Sequence, residues 1–482
     1  MILEMDGQGA LFEQLARALK REILGGGFEP ASQLPATRTL AAALGISRNT
    51  VLGAYELLCA EQLAVAHPGS GTRVAGVAPT RRHKDSRSAM RAQSRYSART
   101  RRLSPFTLSG VRVGPRYNLQ YGDPLLRPQL SAAWRRKLLA AAARAEARYP
   151  HAAGSYPLRC AIVNYLLRRR GVSCTPDDVI IVGGTQQALT LVARAVLDEG
   201  QSVVIEDPHY ELVQHALLAH GARLIRVRVD GDGMMTSELP ARAPRLIYVT
   251  PSHQFPSGSI LSLDRRIELL KYATTHGCWV FDDDYDGEFH YESRPLPALR
   301  SLDVGERVIH TSSFSKTLFP GLRLGYIVAP PALRDDLVMA KALDDLGCSA
   351  IEQAALAAFL ESRQYEKHLR KSLTELRGRR QALLDGLSRH LGDHIEVAPS
   401  TGGIHLVVWF RRLSYSGLRR LVARAAQSGL GLYPIHPYYQ EAPPRPGLMV
   451  GFASLSAEQL DAAMALLGVC LRDVIGREAM PN

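Results

Sequence analysis

The sequence predicts an α/β chain in two parts: a small N-terminal helical module that ends in a β-wing, and a much larger domain of alternating strands and helices. Three observations carry this. Apolar residues recur at helical spacing through the first sixty positions, with stop signals between the runs. A stretch from 77 to 112 is rich in arginine and poor in apolar residues. Beyond about residue 150, short β-rich runs alternate with helical patterns, and several of these runs end in small or acidic residues.

With 482 residues the chain can bury more than one core, and 46% hydrophobic with 22% charged residues is the balance of a soluble globular protein. No apolar run reaches the length of a spanning helix, and Met-Ile-Leu-Glu-Met-Asp lacks the basic-then-apolar order of a secretory leader. A cytoplasmic protein without a membrane partner is therefore expected. Cys59, Cys160, Cys174, Cys278, Cys348 and Cys470 include no close pair, which points to neither a disulfide framework nor a zinc site, and no metal is expected. A net charge of +13 points instead to a polyanionic partner.

In the first part, Leu11, Leu15, Leu19, Ile23 and Leu24 mark a helix that Gly25-Gly26-Gly27 ends. A second helix spans 35–44 and stops at Gly45, and Ser47 is a good cap for a third running to about Ala60. The arrangement is a helix-turn-helix whose recognition helix opens with Arg48, Asn49 and Thr50, the end that meets base edges and phosphates in a major groove. Residues 63–66 and 72–75 read as two strands joined by His67-Pro68-Gly69-Ser70-Gly71, a wing. The wording from Leu34 to Ala41, from Gly45 to Val51 and from Gly69 to Thr72 resembles the GntR family of winged-helix regulators. That resemblance implies that Arg38 and Arg48 grip double-stranded operator DNA, assisted by Ser47, Thr50, Gly69 and Gly71. One departure is Pro30-Ala31, where the family usually has Pro-Gly.

A module over 1–76 is thus followed by a linker over 77–112, in which Arg81, Arg82, Lys84, Arg87, Arg91, Arg95, Arg99, Arg101 and Arg102 face only Asp85. Such a composition cannot bury a core, so a flexible or loosely helical tether is expected, with nonspecific attraction to phosphates as a second role.

The remainder, 113–482, repeats a strand that runs into a functional-looking turn. After the strand 178–182, Gly183-Gly184-Thr185-Gln186-Gln187 leads into a helix, a ready anion site for which Thr185 and Gln186 are the donors. The next strand runs into Asp207-Pro208-His209-Tyr210, and Tyr210 is placed to stack on a ring. The apolar run 278–281 enters Asp282-Asp283-Asp284-Tyr285; Asp282 is the candidate partner of a protonated pyridine nitrogen and Tyr285 of a ring hydroxyl. Finally, Ser313, Ser315 and Arg323 surround Lys316 with the groups a phosphate ester wants, and a lysine beside a cation is pushed toward nucleophilic use. Together these point to an aldehyde cofactor carrying a phosphate, with Lys316 as its Schiff-base lysine.

These motifs resemble the fold-type I aminotransferases. The resemblance implies pyridoxal 5'-phosphate (PLP) as cofactor, a large α/β/α and a small α+β domain, and Lys316 as the internal aldimine. Thr185, Gln186, Ser313, Ser315 and Arg323 would hold the phosphate. Two departures stand out. His253-Gln254-Phe255-Pro256-Ser257-Gly258 replaces the usual Asn-Pro-Thr-Gly, and the C-terminal strand 447–453 carries no arginine for a substrate carboxylate, leaving Arg445 just before it as the candidate. A GntR-type winged helix joined by a basic linker to such a domain resembles the MocR/GabR regulators, which implies a PLP-binding homodimer sensing PLP itself, or an amino acid or amine, through Lys316. The alternative is a working aminotransferase with an accessory DNA-binding module.

Overall fold

Leu15, Ala18, Leu19 and Ile23 fall on one side of α1 (Leu11–Leu24) and are all buried, so the helix is held by the core it covers rather than by propensity alone. The computed structural model describes residues 5–67, 69–75, 94–103, 114–125, 132–145, 148–291 and 296–478, and it divides into a unit ending at residue 93 and a unit beginning at 94. In the first unit, α2 (Thr37–Leu44) stops at Gly45, whose φ of 66° is the left-handed conformation that closes a helix. Ser47 caps α3 (Arg48–Ala60) by accepting the Thr50 N–H. Strands β1 (Ala64–His67) and β2 (Gly71–Val74) pair antiparallel, with His67 opposite Gly71. Leu15, Leu19, Leu34, Val51, Tyr55 and Leu58 share one core. This is the winged helix-turn-helix expected, with its strands displaced by a residue.

The second unit opens inside the stretch read as a tether. Ser94 caps α4 (Arg95–Thr100), Arg99 Nε donates to the carbonyl of Ala219 at 2.9 Å, and both Arg95 and Arg99 pair with Glu199. This end of the basic stretch is held because its arginines meet a carboxylate and a helix-terminal carbonyl. Arg81, Arg82, Lys84, Asp85, Arg87 and Arg91 lie outside the described residues.

After β3 (Tyr117–Asn118), α5 (Ala132–Ala142) and α6 (Tyr156–Arg170) comes a run of alternating elements: β4 (Val179–Val182), α7 (Thr185–Val196), β5 (Ser202–Asp207), α8 (Glu211–Ala219), β6 (Arg223–Asp230), β7 (Gly233–Met234), β8 (Leu246–Val249), α9 (Leu263–His276), β9 (Trp279–Asp283), β10 (Val308–Ser313) and β11 (Gly325–Val328). They build one eight-stranded sheet in the order β4-β11-β10-β9-β8-β5-β6-β7. Strands β10, β9, β8, β5 and β6 run parallel, while β11 is antiparallel to both its neighbours. Apolar residues on both faces explain the continuous Val/Ile runs: Val182, Phe281 and Ile309 pack with α7, and Val249, Val280 and Val308 with α9.

Helices α10 (Arg334–Asp345), α11 (Ala350–Glu361) and α12 (Gln364–Leu391) lead to a smaller α+β layer. There β12 (Ile395–Val397), β13 (His405–Phe410), β15 (Tyr433–Pro434) and β16 (Gly447–Gly451) form an antiparallel sheet, with α13 (Tyr415–Gln427) and α14 (Ala457–Glu478) beside it. The short β14 (Leu430–Gly431) pairs with β3. No helix of the described residues is long and apolar enough to cross a membrane.

Candidate functional site

The parallel strands deliver their polar residues to their carboxyl ends, as open α/β sheets do. Three residues beyond the end of β10 stands Lys316, whose Nζ donates to the carbonyl of Gly122 at 2.5 Å. Burial draws the Lys316 amine below its ordinary pKa, while the carboxylates of Asp286 and Asp123 oppose the fall. Sequence reasoning assigned that fall to Arg323; the surroundings assign it to desolvation.

Arg323 has a different place. It sits at φ 51° two residues before β11, with its guanidinium against the Gly183-Gly184 turn: a Cβ on Gly184 would lie 3.5 Å from Nη1. Gly184 itself adopts φ 123° and opens α7, whose first turn leaves N–H groups without intrahelical partners. Among the described residues Arg323 meets no carboxylate and makes no hydrogen bond through its side chain. Ser313 Oγ donates to Ser315 Oγ at 2.9 Å and accepts the Ser315 N–H, which keeps both hydroxyls beside Lys316. An uncompensated cation, a helix N-terminus and two hydroxyls make an anion cradle.

The four aspartates sort by strand phase. Along β9, Trp279 and Phe281 pack in the cluster that includes α7 and Tyr210, whereas Val280 belongs to the opposite face. Asp283 therefore shares the α7 face and Asp282 does not. Register sets His310 opposite Asp282, and the two form a buried pair at 2.8 Å. Asp284 is bound by the buried Arg170 and Asp286 lies 2.9 Å from His253 Nδ1. Asp283 alone of the four pairs with neither an arginine nor a histidine among the described residues; the Tyr248 hydroxyl donates to it at 2.6 Å. Burial pushes the Asp283 carboxyl up to about 7, the neighbouring carboxylates adding to the rise. The expectation for Asp282 is thus corrected: alternation turns it away, and Asp283 faces the site.

The Tyr285 hydroxyl stands 3.1 Å from His253 Nδ1. Sequence reasoning passed over His253, although it stands in the very segment that departs from Asn-Pro-Thr-Gly; its Nε2 is buried without a partner. Gln254 is committed elsewhere, donating to the Pro208 and Phe255 carbonyls. Tyr210 meets Phe255 edge to face at 5.4 Å. Arg445 is not brought to the site: it pairs with Glu396 at 2.8 Å on the surface. It precedes Gly451, the end of β16 that touches Tyr121, by six residues, or roughly 20 Å of strand.

These residues fit a phosphorylated pyridine aldehyde. The cradle of Arg323, Ser313, Ser315 and the start of α7 suits its phosphate, the unpaired Asp283 suits a protonated ring nitrogen, and Tyr285 suits a ring oxygen.

In the winged module, Arg38, Ser47, Arg48 and Asn49 are exposed, and Arg48 Nε donates to Thr37 Oγ1 at 3.3 Å, linking α3 to α2. Gly69 and Gly71 take φ of 80° and 90° in the wing turn. A Cβ on Gly71 would come within 2.8 Å of Gln33 Nε2, which braces the turn by donating to the Ser70 carbonyl.

Residues 117–467 match the family described as aminotransferase class I and II, and residues 11–74 match the bacterial regulatory proteins of the gntR family. The probable rhizopine catabolism regulatory protein MocR of Rhizobium meliloti is 34% identical over 473 residues, covering 95% of this chain and 93% of that protein. The HTH-type transcriptional regulator TauR of Rhodobacter capsulatus is 38% identical over 345 residues, 67% of this chain and 68% of that one. Among solved structures, the α-aminoadipate aminotransferase LysN of Thermus thermophilus superposes with a TM-score of 0.70 at 26% identity, over 80% of this chain and 98% of LysN.

Proposed function

Because the chain belongs to the MocR-type HTH transcriptional regulators, which carry a gntR-family module and an aminotransferase class I and II domain, we propose that it holds PLP at Lys316 and reports an amine signal, or PLP supply itself, to operator DNA. The observation that carries the cofactor reading is an uncompensated guanidinium, Arg323, and an uncompensated carboxylate, Asp283, at the same end of the sheet as Lys316. When bound, PLP supplies an aldehyde that takes primary amines reversibly and a ring that withdraws electrons.

The chain's own residues do the rest. Arg323, Ser313, Ser315, Thr185 and Gln186 anchor the phosphate. Asp283 keeps the ring nitrogen protonated. Tyr285, in contact with His253, would hold the ring oxygen, and Tyr210 would cover one ring face. Burial lowers the pKa of the Lys316 amine and so favours the neutral form, the one that bonds to an aldehyde. Two winged modules in a homodimer would read paired half-sites, with Arg38, Ser47, Arg48, Thr50 and the Gly69–Gly71 wing on each.

The test joins both sites. Lys316→Ala in the full chain is expected to lose the near-visible band of PLP-reconstituted protein. Arg48→Ala is expected to keep that band and bind a duplex selected from a random pool about ten- to a hundredfold more weakly, as for a lost bidentate arginine. A normal band in the first variant refutes the lysine; unchanged DNA affinity in the second refutes the recognition helix.

A further inference from the structure

Beside Lys316 the chain builds an aromatic wall. Gly122, whose carbonyl accepts from Lys316, follows Tyr121, and Tyr121 lies 5.6 Å from Phe255 and 5.9 Å from Tyr438 between ring centroids. Phe255 in turn meets Tyr438 at 5.3 Å and Tyr210 at 5.4 Å. All four rings are half-buried, so each keeps a surface for a ligand, and Met449, Ile435 and Val407 close the back. Met449 is the side chain that β16 contributes to this cluster.

The charges around the wall are negative. The carboxylates acting on the hydroxyls of Tyr121, Tyr210 and Tyr438 are Glu211 and, for Tyr210, Asp283. Asp123 and Asp286 act on Lys316 itself. Glu211 stands at the first position of α8, is accessible, and has His215 as its neighbour at 3.4 Å. Arg445, the arginine nearest β16 in sequence, is committed to Glu396.

A ligand carboxylate in such a place would lose its water without gaining a bidentate cation. An ammonium would gain ring faces and a carboxylate. Resting on the reading that PLP at Lys316 takes primary amines, we propose that the effector is a diamine without a carboxylate: one primary amine reaches the cofactor, and a second, cationic nitrogen sits against Tyr121, Phe255 and Tyr438 beside Glu211.

The experiment follows the near-visible band of the PLP-loaded full chain during titration with 1,4-diaminobutane, butylamine, 4-aminobutanoate and ornithine. The diamine is expected to half-saturate at a concentration at least tenfold below each of the others. In Glu211→Gln its advantage over butylamine should shrink to about twofold, and in Phe255→Leu all amines should weaken, with far-ultraviolet circular dichroism confirming the fold of each variant. A lower half-saturation for 4-aminobutanoate or ornithine overturns this inference while leaving the cofactor reading intact, as does a diamine advantage undiminished in Glu211→Gln. Absence of any cofactor band in the parent protein overturns the cofactor reading and this inference with it.

Discussion

Asp283 illustrates how a single residue can be built for a ligand at the expense of the empty fold. Its carboxyl is pushed up to about 7, above the ordinary carboxylate value, so the folded chain holds more protons than the unfolded one between about pH 4 and 7. Stability from this group therefore falls as pH rises through that window. Asp283→Asn removes the charge and keeps an oxygen to accept from Tyr248. In PLP-free protein it should be more stable than the parent at pH 8, by on the order of 1–3 kcal/mol, with the gain fading toward pH 4. The same variant should bind PLP at least tenfold more weakly. Urea unfolding at the two pH values and an absorbance titration check both halves; a variant less stable than the parent at pH 8 would show that the charge is already compensated. Asp282→Asn makes the contrast, since it breaks the pair with His310. Three adjacent aspartates announce a carboxylate at this strand end, yet identical neighbours do not reveal which one faces the helix. That is decided by Phe281 and Trp279, whose packing under α7 sets the phase of the strand. Lys316, Arg323 and the Gly183-Gly184-Thr185 turn are legible earlier, because a rare residue type at a strand end or a glycine pair before a helix has few other uses.

Among the elements, the winged module is read almost residue by residue, since Gly45 and Ser47 are local stop and start signals that do not depend on distant packing. Helix α4 is the opposite case. Its arginines gain order only from Glu199 and Ala219, which lie far along the chain, so its composition alone reads as a tether. The turn between α1 and α2 holds a departure with a measurable cost. Ala31 adopts φ 62°, where the family's usual glycine is at ease, and it is kept there by donating its N–H to the Val74 carbonyl and by accepting from Arg73 Nη1. Left-handed geometry costs an L-residue roughly 1–2 kcal/mol, of which glycine's extra freedom when unfolded returns part. Ala31→Gly should stabilise the module by about 0.5–1 kcal/mol. Amide hydrogen exchange across α1 and α3 in the full chain should slow about two- to fivefold, the factor that energy implies. Faster exchange would mean the turn gains more from alanine than it loses.

On the scale of the whole molecule, the surplus of positive charge is not in the winged module. Residues 1–75 hold six Lys/Arg against seven Asp/Glu, so the DNA grip proposed for the module would rest on placed side chains such as Arg38 and Arg48 rather than on a broad positive field. The adjoining stretch 77–112 sets its arginines against Asp85 alone, but the structure divides them. Arg95 and Arg99 are occupied by Glu199 and Ala219, whereas Arg81, Arg82, Lys84, Arg87 and Arg91 precede that anchor. We expect the second group to be the one that releases counterions from phosphates. Each phosphate neutralised contributes about 0.9 to the slope of log affinity against log salt. Replacing Arg81, Arg82, Lys84, Arg87 and Arg91 by serine should flatten that slope by about 2 to 4 and weaken operator and random duplexes alike, leaving their ratio near its parent value. Replacing Arg95 and Arg99 should leave the slope where it was. Fluorescence anisotropy on both duplexes across a salt series separates the two sets, and a slope that follows Arg95 and Arg99 instead would mean that α4 gives up Glu199 for DNA.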